Sequence, residues 1–284
     1  MYGLEATLIC AEADVHAGLP TFLIVGLPDA AIQEARERVK SAIKYSGLPF
    51  PKTKVIINLA PADVKKIGTQ FDLPIAIAIL QASGDLPESG TERPLLLGEL
   101  GLDGMLRPVR GVLALVVEAK RLGCTTVVVP RANADEAALV DGIRILAASH
   151  LRDVVEAFRT GARLPEVTFH RLALGKADFG EADFASVRGQ ETAKRALEIA
   201  AAGKHNILLQ GPPGSGKTLL ARALPSILPP LAYDEMLDVA RIHSLQGRSA
   251  GGSIDGRPPF RSPHHSASAI SLVGGGSFPR PGEI

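Results

Sequence analysis

Cysteine is scarce in this sequence. Cys10 and Cys124 are the only two among 284 residues, and both sit among apolar or small neighbours, a setting that favours buried free thiols over a bridge or a metal pair. A surplus of charge is lacking too. With 31 Lys and Arg against 30 Asp and Glu, the net charge of +1 gives no global pull toward nucleic acid or membrane, so any nucleic-acid contact must come from a local patch. Nor does any apolar run approach the length that spans a bilayer, and Met1 to Glu12 has no basic start followed by a long apolar stretch. A soluble, cytoplasmic chain is the expectation. What is present is bulk: at 46% hydrophobic residues the length suffices for a core in each of two domains.

The first half alternates β-branched runs with helical patterns, which points to an α/β layer structure. Thr21 to Val25 reads as a strand, and Pro28 with Asp29 opens a helix that Gly47 stops. Ala31, Ala35, Val39 and Ile43 would share its buried stripe, with Glu34, Arg36, Glu37 and Arg38 facing water or the rim. Further strands are expected at Val55 to Leu59, Leu95 to Leu100, Thr125 to Val129 and Ile143 to Ala147. Helices are expected at Leu73 to Gln81, Gly111 to Leu122 and Ala132 to Val140. Periodicity fades from about Thr160 to Asp183, where only Val167 to Leu172 looks extended. The division is therefore a first domain over 1–160, a connection over 161–183 and a second domain over 184–284. In the second, a helix at Gln190 to Ala202 leads to a strand at Asn206 to Gln210, a glycine loop and a helix from Gly216 to Leu224.

That loop carries the chemistry. Gly211-Pro212-Pro213-Gly214-Ser215-Gly216-Lys217-Thr218 has two glycines flanking four residues, then Lys and Thr, the complete pattern of a phosphate-binding loop. Glycines let successive amide hydrogens turn toward phosphate oxygens, and the following helix, entered through Leu219, adds its positive end. Lys217 would neutralise the terminal phosphates, and Thr218 would offer its hydroxyl to the magnesium ion that bridges them. ATP with Mg2+ is the expected cofactor. Hydrolysis needs more, namely an acidic strand end for the metal, and no apolar strand ending in paired acidic residues follows Thr218 before Ile284. The expectation is a fragment of a longer ATPase, ending before its Walker B strand, that binds nucleotide and turns it over poorly if at all.

Phe184-Ala185-Ser186-Val187-Arg188-Gly189-Gln190 resembles the segment that leads into an AAA+ module and covers the nucleotide base, which makes Val187 and Gln190 candidate nucleotide contacts. Arg257-Pro258-Pro259-Phe260-Arg261-Ser262-Pro263-His264-His265-Ser266 and Leu272-Val273-Gly274-Gly275-Gly276 resemble the magnesium-chelatase-like branch of AAA+ proteins. With the N-terminal half included, the whole chain resembles the YifB/ComM family. The resemblance implies an N-terminal Lon-protease-like α+β domain, of the ribosomal S5 domain 2-like kind, before the first part of a P-loop AAA+ domain. It also implies a homo-hexameric ring acting on single-stranded or branched DNA, since ComM is associated with branch migration during natural transformation.

Lon domains can be proteases with a serine nucleophile and a lysine base. Gly98-Glu99-Leu100, Arg107-Pro108-Val109-Arg110-Gly111 and Val127-Val128-Val129-Pro130 resemble the framework around that lysine, and Gln70-Phe71-Asp72-Leu73-Pro74 the serine turn. Counting along them puts Asp72 at the nucleophile's position and Leu113 at the base's. A leucine accepts no proton, so peptide hydrolysis at this site is not expected, and the domain reads as a binding or assembly platform. Lys65-Lys66-Ile67-Gly68 could contribute DNA contact, as in the Lon-like domain of the recombination factor RadA, or form a solvated turn; both readings stay open. Arg241, Arg248, Arg257, Arg261 and Arg280 face only Asp255 in their stretch, which could grip phosphates or a neighbouring subunit's nucleotide. His264 and His265, adjacent and without a third ligand at fitting spacing, read as loop-stabilising or phosphate-facing. Two other readings of the whole compete with the DNA motor. One is a chelatase-type ATPase that remodels a protein partner, the other a scaffold that nucleotide merely stabilises.

Overall fold

The structure, a computed structural model, describes residues 4–87, 93–171, 183–247, 256–276 and 280–283. Contacts divide the chain into one unit of Met1–His170 with Arg241–Gly251 and another of Arg171–Ala240 with Gly252–Ile284.

The first unit opens with β1 (Cys10–His16), β2 (Thr21–Val25) and β3 (Lys54–Ala60) in the order β1-β3-β2, β1 running antiparallel and β2 parallel to β3. Parallel neighbours need a crossover, and α1 (Ala30–Tyr45) supplies it. Asp29 starts that helix by accepting the Ile32 amide at 2.9 Å, and its other oxygen takes the Gly68 amide at 3.1 Å. One carboxylate thus fixes both the helix start and the loop ahead of the next helix. The buried stripe is Ile32, Ala35, Val39, Ala42 and Ile43. Ala31 is only half-buried, because a stripe at helical period drifts from strict fourfold spacing and brings Ile32 and Ala42 inward instead.

The strand β1 was not anticipated. Its inward residues, Ala11, Ala13 and Val15, are small, while Cys10, Glu12, Asp14 and His16 face water, so the alternation carries little hydropathy contrast. Cys10 is consequently exposed and Cys124 half-buried, which corrects the expectation of two buried thiols.

α2 (Asp72–Ala82) packs on β1 and α1 and buries Leu73, Ile75, Ala76, Ile77, Ile79 and Leu80 on nearly every side, which is why its sequence has no polar face. The single strand expected over Leu95 to Leu100 divides. β4 (Leu95–Leu96) joins a second sheet, and β5 (Glu99–Leu100) turns away to pair with β6 (Leu106–Arg107). Gly98 is the pivot: its amide donates to the Gln70 carbonyl and its carbonyl accepts the Leu73 amide, while a Cβ there would sit 2.6 Å from Leu106 Cδ2. α3 (Val112–Arg121) follows, then β7 (Thr126–Pro130), α4 (Ala134–Ala137) and β8 (Arg144–Ala148). α5 (Leu151–Thr160), also unanticipated, begins at a reciprocal cap in which His150 Nδ1 accepts the Arg152 amide and Asp153 accepts the His150 amide.

The second sheet has the order β4-β7-β8-β9, where β9 (Glu166–Val167) runs antiparallel to an otherwise parallel set. The expected connection over 161–183 therefore opens with residues that pack in this unit. Leu164 is buried, the Pro165 carbonyl accepts the Ala147 amide at 2.8 Å and the His170 amide reaches the Ala138 carbonyl. Residues 172–182 of that connection lie outside the described residues.

The second unit gathers Phe184, Val187, Leu197, Leu220 and Ala223 into a small core. α6 (Glu191–Gly203), α7 (Lys217–Ala223) and α8 (Tyr233–Leu245, of which Tyr233–Ala240 belongs here) are joined by α9 (Ala269–Val273) and the antiparallel pair β10 (Gly274–Gly275) and β11 (Arg280–Pro281). Among the described residues no helix is long and apolar enough to cross a membrane.

Candidate nucleotide-binding site

The loop from Gly211 to Gly216 is built on backbone that L-residues avoid. Gly214 at φ +78° and Gly216 at φ +84° lie in the left-handed region, and a Cβ at either would meet nothing within 4 Å. Torsion alone, not crowding, thus demands glycine at these two positions. Among the described residues the amides of Gly214, Gly216, Lys217 and Thr218 find no acceptor, so four donors stand open where the loop enters α7. Lys217 folds back over the loop, its ammonium donating to the carbonyls of Gly211 (2.9 Å) and Pro212 (2.7 Å) and to Ser215 Oγ (3.2 Å). Thr218 and Leu219 are exposed at the first turn. Open amides, a cation on a flexible stem and an exposed hydroxyl next to it form a donor set that suits a polyphosphate with its magnesium ion.

The flanks differ from the sequence expectation. No strand forms over Asn206 to Gln210: strands exist by pairing, and among the described residues nothing lies alongside this segment. Leu209 packs onto the small core, whereas Leu208 is 87% exposed. Ahead of the loop, Gln190 takes a left-handed conformation (φ +59°) and its amide donates to the Ser215 carbonyl at 3.3 Å, tying the lead-in segment to the loop. Val187 is buried with Leu197 and Leu220, so its place is packing under the loop. The Phe184 amide meets Ser226 Oγ at 2.9 Å and fixes the same segment from the other side of α7.

The arginine stretch is less positive than its composition. Arg241 donates to Glu118 Oε1 at 3.3 Å, and Arg261 pairs with Glu283, a carboxylate beyond the stretch that was counted. Arg257 is half-buried; Arg248 and Asp255 lie outside the described residues. His264 Nδ1 shares a hydrogen bond with Ser266 Oγ at 2.7 Å, and its ring leans on His265 at 4.1 Å between centroids, both rings exposed. Among the described residues no three metal-ligating side chains come together.

In the first unit the two positions aligned with a protease dyad are both buried. Leu113 lies within the core. Asp72 is gripped by Arg38, Nε to Oδ2 at 2.7 Å and Nη2 to Oδ1 at 3.0 Å, and Oδ2 also accepts the Leu100 amide at 3.1 Å. Burial pushes this carboxyl up from its ordinary range, against the pull of the Arg38 guanidinium and the Leu100 amide. Arg38, expected to face water or the rim, has a side chain only 18% exposed, since the buried carboxylate draws it inward. Lys66 corrects another expectation. It is 2% exposed and donates its ammonium to the Pro61 carbonyl, so it shows no charge to a phosphate at the surface; Lys65 beside it is exposed.

Two family models match the chain: "subunit ChlI of Mg-chelatase" over residues 11–133 and "magnesium chelatase, subunit ChlI" over residues 183–284. YifB of Salmonella typhimurium is 47% identical over 283 residues, covering 99% of this chain and 55% of its own length. The competence protein ComM of Haemophilus influenzae is 40% identical over 284 residues, covering 99% of this chain and 56% of its own length. Lon protease 2 of Bacillus subtilis is 26% identical over 136 residues, 47% of this chain and 24% of its own. The chain spans little more than half the length of the first two relatives.

Proposed function

The chain belongs to the YifB/ComM family of magnesium-chelatase-like proteins, and from that premise we propose that it is the nucleotide-binding part of an ATP-driven, homo-hexameric motor that remodels branched or single-stranded DNA. The observation that carries the reading is the loop Gly211 to Thr218, with four amides lacking acceptors and an ammonium poised over it. Bound ATP with magnesium would supply the phosphoanhydride whose cleavage drives such motors. The chain's own part begins with Lys217, which must exchange the Gly211 and Pro212 carbonyls for phosphate oxygens. Thr218 then offers its hydroxyl to the magnesium ion, and Gln190 holds the loop against the lead-in segment. Relation to a competence protein favours DNA as the substrate.

The Lon-like first unit serves in this reading as a platform without peptidase activity. A carboxylate bound on both oxygens has no lone pair to spare for a carbonyl carbon, and Leu113 supplies no base. Protein remodelling for metal insertion is the second reading, favoured by the description of both family models.

A branch-migration assay on the complete gene product with ATP tests the DNA reading. Binding to branched or single-stranded DNA should weaken steeply as salt rises. Absence of such binding at low salt sinks the DNA motor and leaves the second reading. For the nucleotide site, Lys217→Ala should lose most of its affinity for a fluorescent ATP analogue, and an unchanged titration contradicts the assignment.

A further inference from the structure

Away from the glycine loop, the first unit holds a recess of about 490 Å³, within the roughly 300–1,000 Å³ of small-molecule sites. Its walls are apolar: Leu8 and Ile9 from the N-terminal side, Ile77 and Ala78 from α2, Leu96 from β4 and Phe158 from α5. Leu8 at its wall is 42% exposed, a placement that costs free energy in water and is relieved when an apolar group fills the space. The polar lining is one-signed. Lys65, Lys66 and Arg93 line it against a single carboxylate, Glu12, which already accepts from Asn58 at 2.8 Å. Arg93 has no carboxylate within ion-pair distance among the described residues. Burial lowers the Lys66 ammonium below the ordinary lysine range, so an anion beside it would restore what desolvation takes away.

We propose that this recess binds an amphipathic monocarboxylate, an acyl chain of medium length lying along Ile9, Ile77, Leu96 and Phe158 with its carboxylate between Arg93 and Lys66. A neutral tail of the same shape fills the walls but leaves the cations unanswered, and a cationic head is repelled. The site is independent of nucleotide: it requires neither the glycine loop nor its lysine.

Calorimetric titration of the complete gene product with decanoate, kept below micelle formation, is the test, with decanol and decyltrimethylammonium as companions. Decanoate is expected to bind one per chain. Decanol should bind about tenfold more weakly, the loss of one charge-assisted contact, and the cation not at all. Cys10 is exposed and lines the recess, whereas Cys124 does not line it. Decanoate should therefore slow alkylation of Cys10 by N-ethylmaleimide several-fold and leave Cys124 unchanged in peptide mapping. Ala78→Phe, which fills the recess, should abolish binding, and Arg93→Glu should weaken it without touching the core. Equal binding of decanoate and decanol, no protection of Cys10, or occupation by an extended apolar peptide that decanoate fails to displace would each overturn the proposal.

Discussion

Arg38 and Asp72, 34 residues apart in sequence, meet as a bidentate pair of 2.7 and 3.0 Å between α1 and the first residue of α2. The guanidinium also donates to the Ala31 carbonyl at 2.9 Å, so the pair joins the two helices and the Leu100 strand end at one point. Such a pair persists only while both members remain.

Removing one partner is therefore expected to cost more than removing both. Asp72→Ala should destabilise the first unit by about 3–5 kcal/mol, because it strands a largely buried cation. Arg38→Met with Asp72→Leu should recover most of that loss. Chemical denaturation of the single and double variants measures the difference, and equal losses in all of them would refute the pairing.

Lys66 predicts a pH dependence of opposite sign to the usual acidic case. Its folded-state ammonium titrates below the unfolded one, so the unfolded chain binds more protons between the two values and stability rises with pH through that window. At neutral pH the buried charge is a cost. Lys66→Met should melt at or above the parent temperature at pH 7, with the gap closing toward alkaline pH. Thermal melts across that range check it, and a gap that widens would contradict the assignment.

In the loop, Gly216→Val should lower nucleotide affinity at least about tenfold, since a β-branched residue at φ +84° carries roughly 1–3 kcal/mol of strain. Space is not the obstacle, as nothing lies within 4 Å of that Cβ position. Melting of the first unit should be unaffected, which differential scanning calorimetry resolves.

Arg241 tests how the basic stretch is used. Paired with Glu118, which also holds Arg121 at 2.9 Å, it is committed within the fold. Arg241→Ala should lower thermal stability while leaving the salt dependence of DNA binding unchanged. A slope reduced by about one would instead place Arg241 on a phosphate.

Where the chain's instructions are local, they were legible. Asp29 and Gly47 bound α1 because a cap and a left-handed stop act on adjacent amides, and Gly211 to Thr218 announces a phosphate loop through torsions that glycine alone adopts. Strand β1 escaped notice because alanine gives little contrast between its faces, and Asn206 to Gln210 looked like a strand because apolar alternation says nothing about whether a partner is alongside. The helix α5 was announced by His150 and Asp153, a cap that uses a less familiar side chain.

The sequence by itself determined the residue types of the phosphate loop, the periodicity of α1 and the apolar runs of β3, β7 and β8, since backbone torsion and hydropathy act over a few residues. Only the tertiary structure decided that Arg38 turns inward to Asp72, that Lys66 is buried while Lys65 is not, and that Arg261 finds Glu283. The physical reason is the same each time: whether a charge is solvated, paired or buried depends on groups distant in sequence, which only packing brings within a few ångströms.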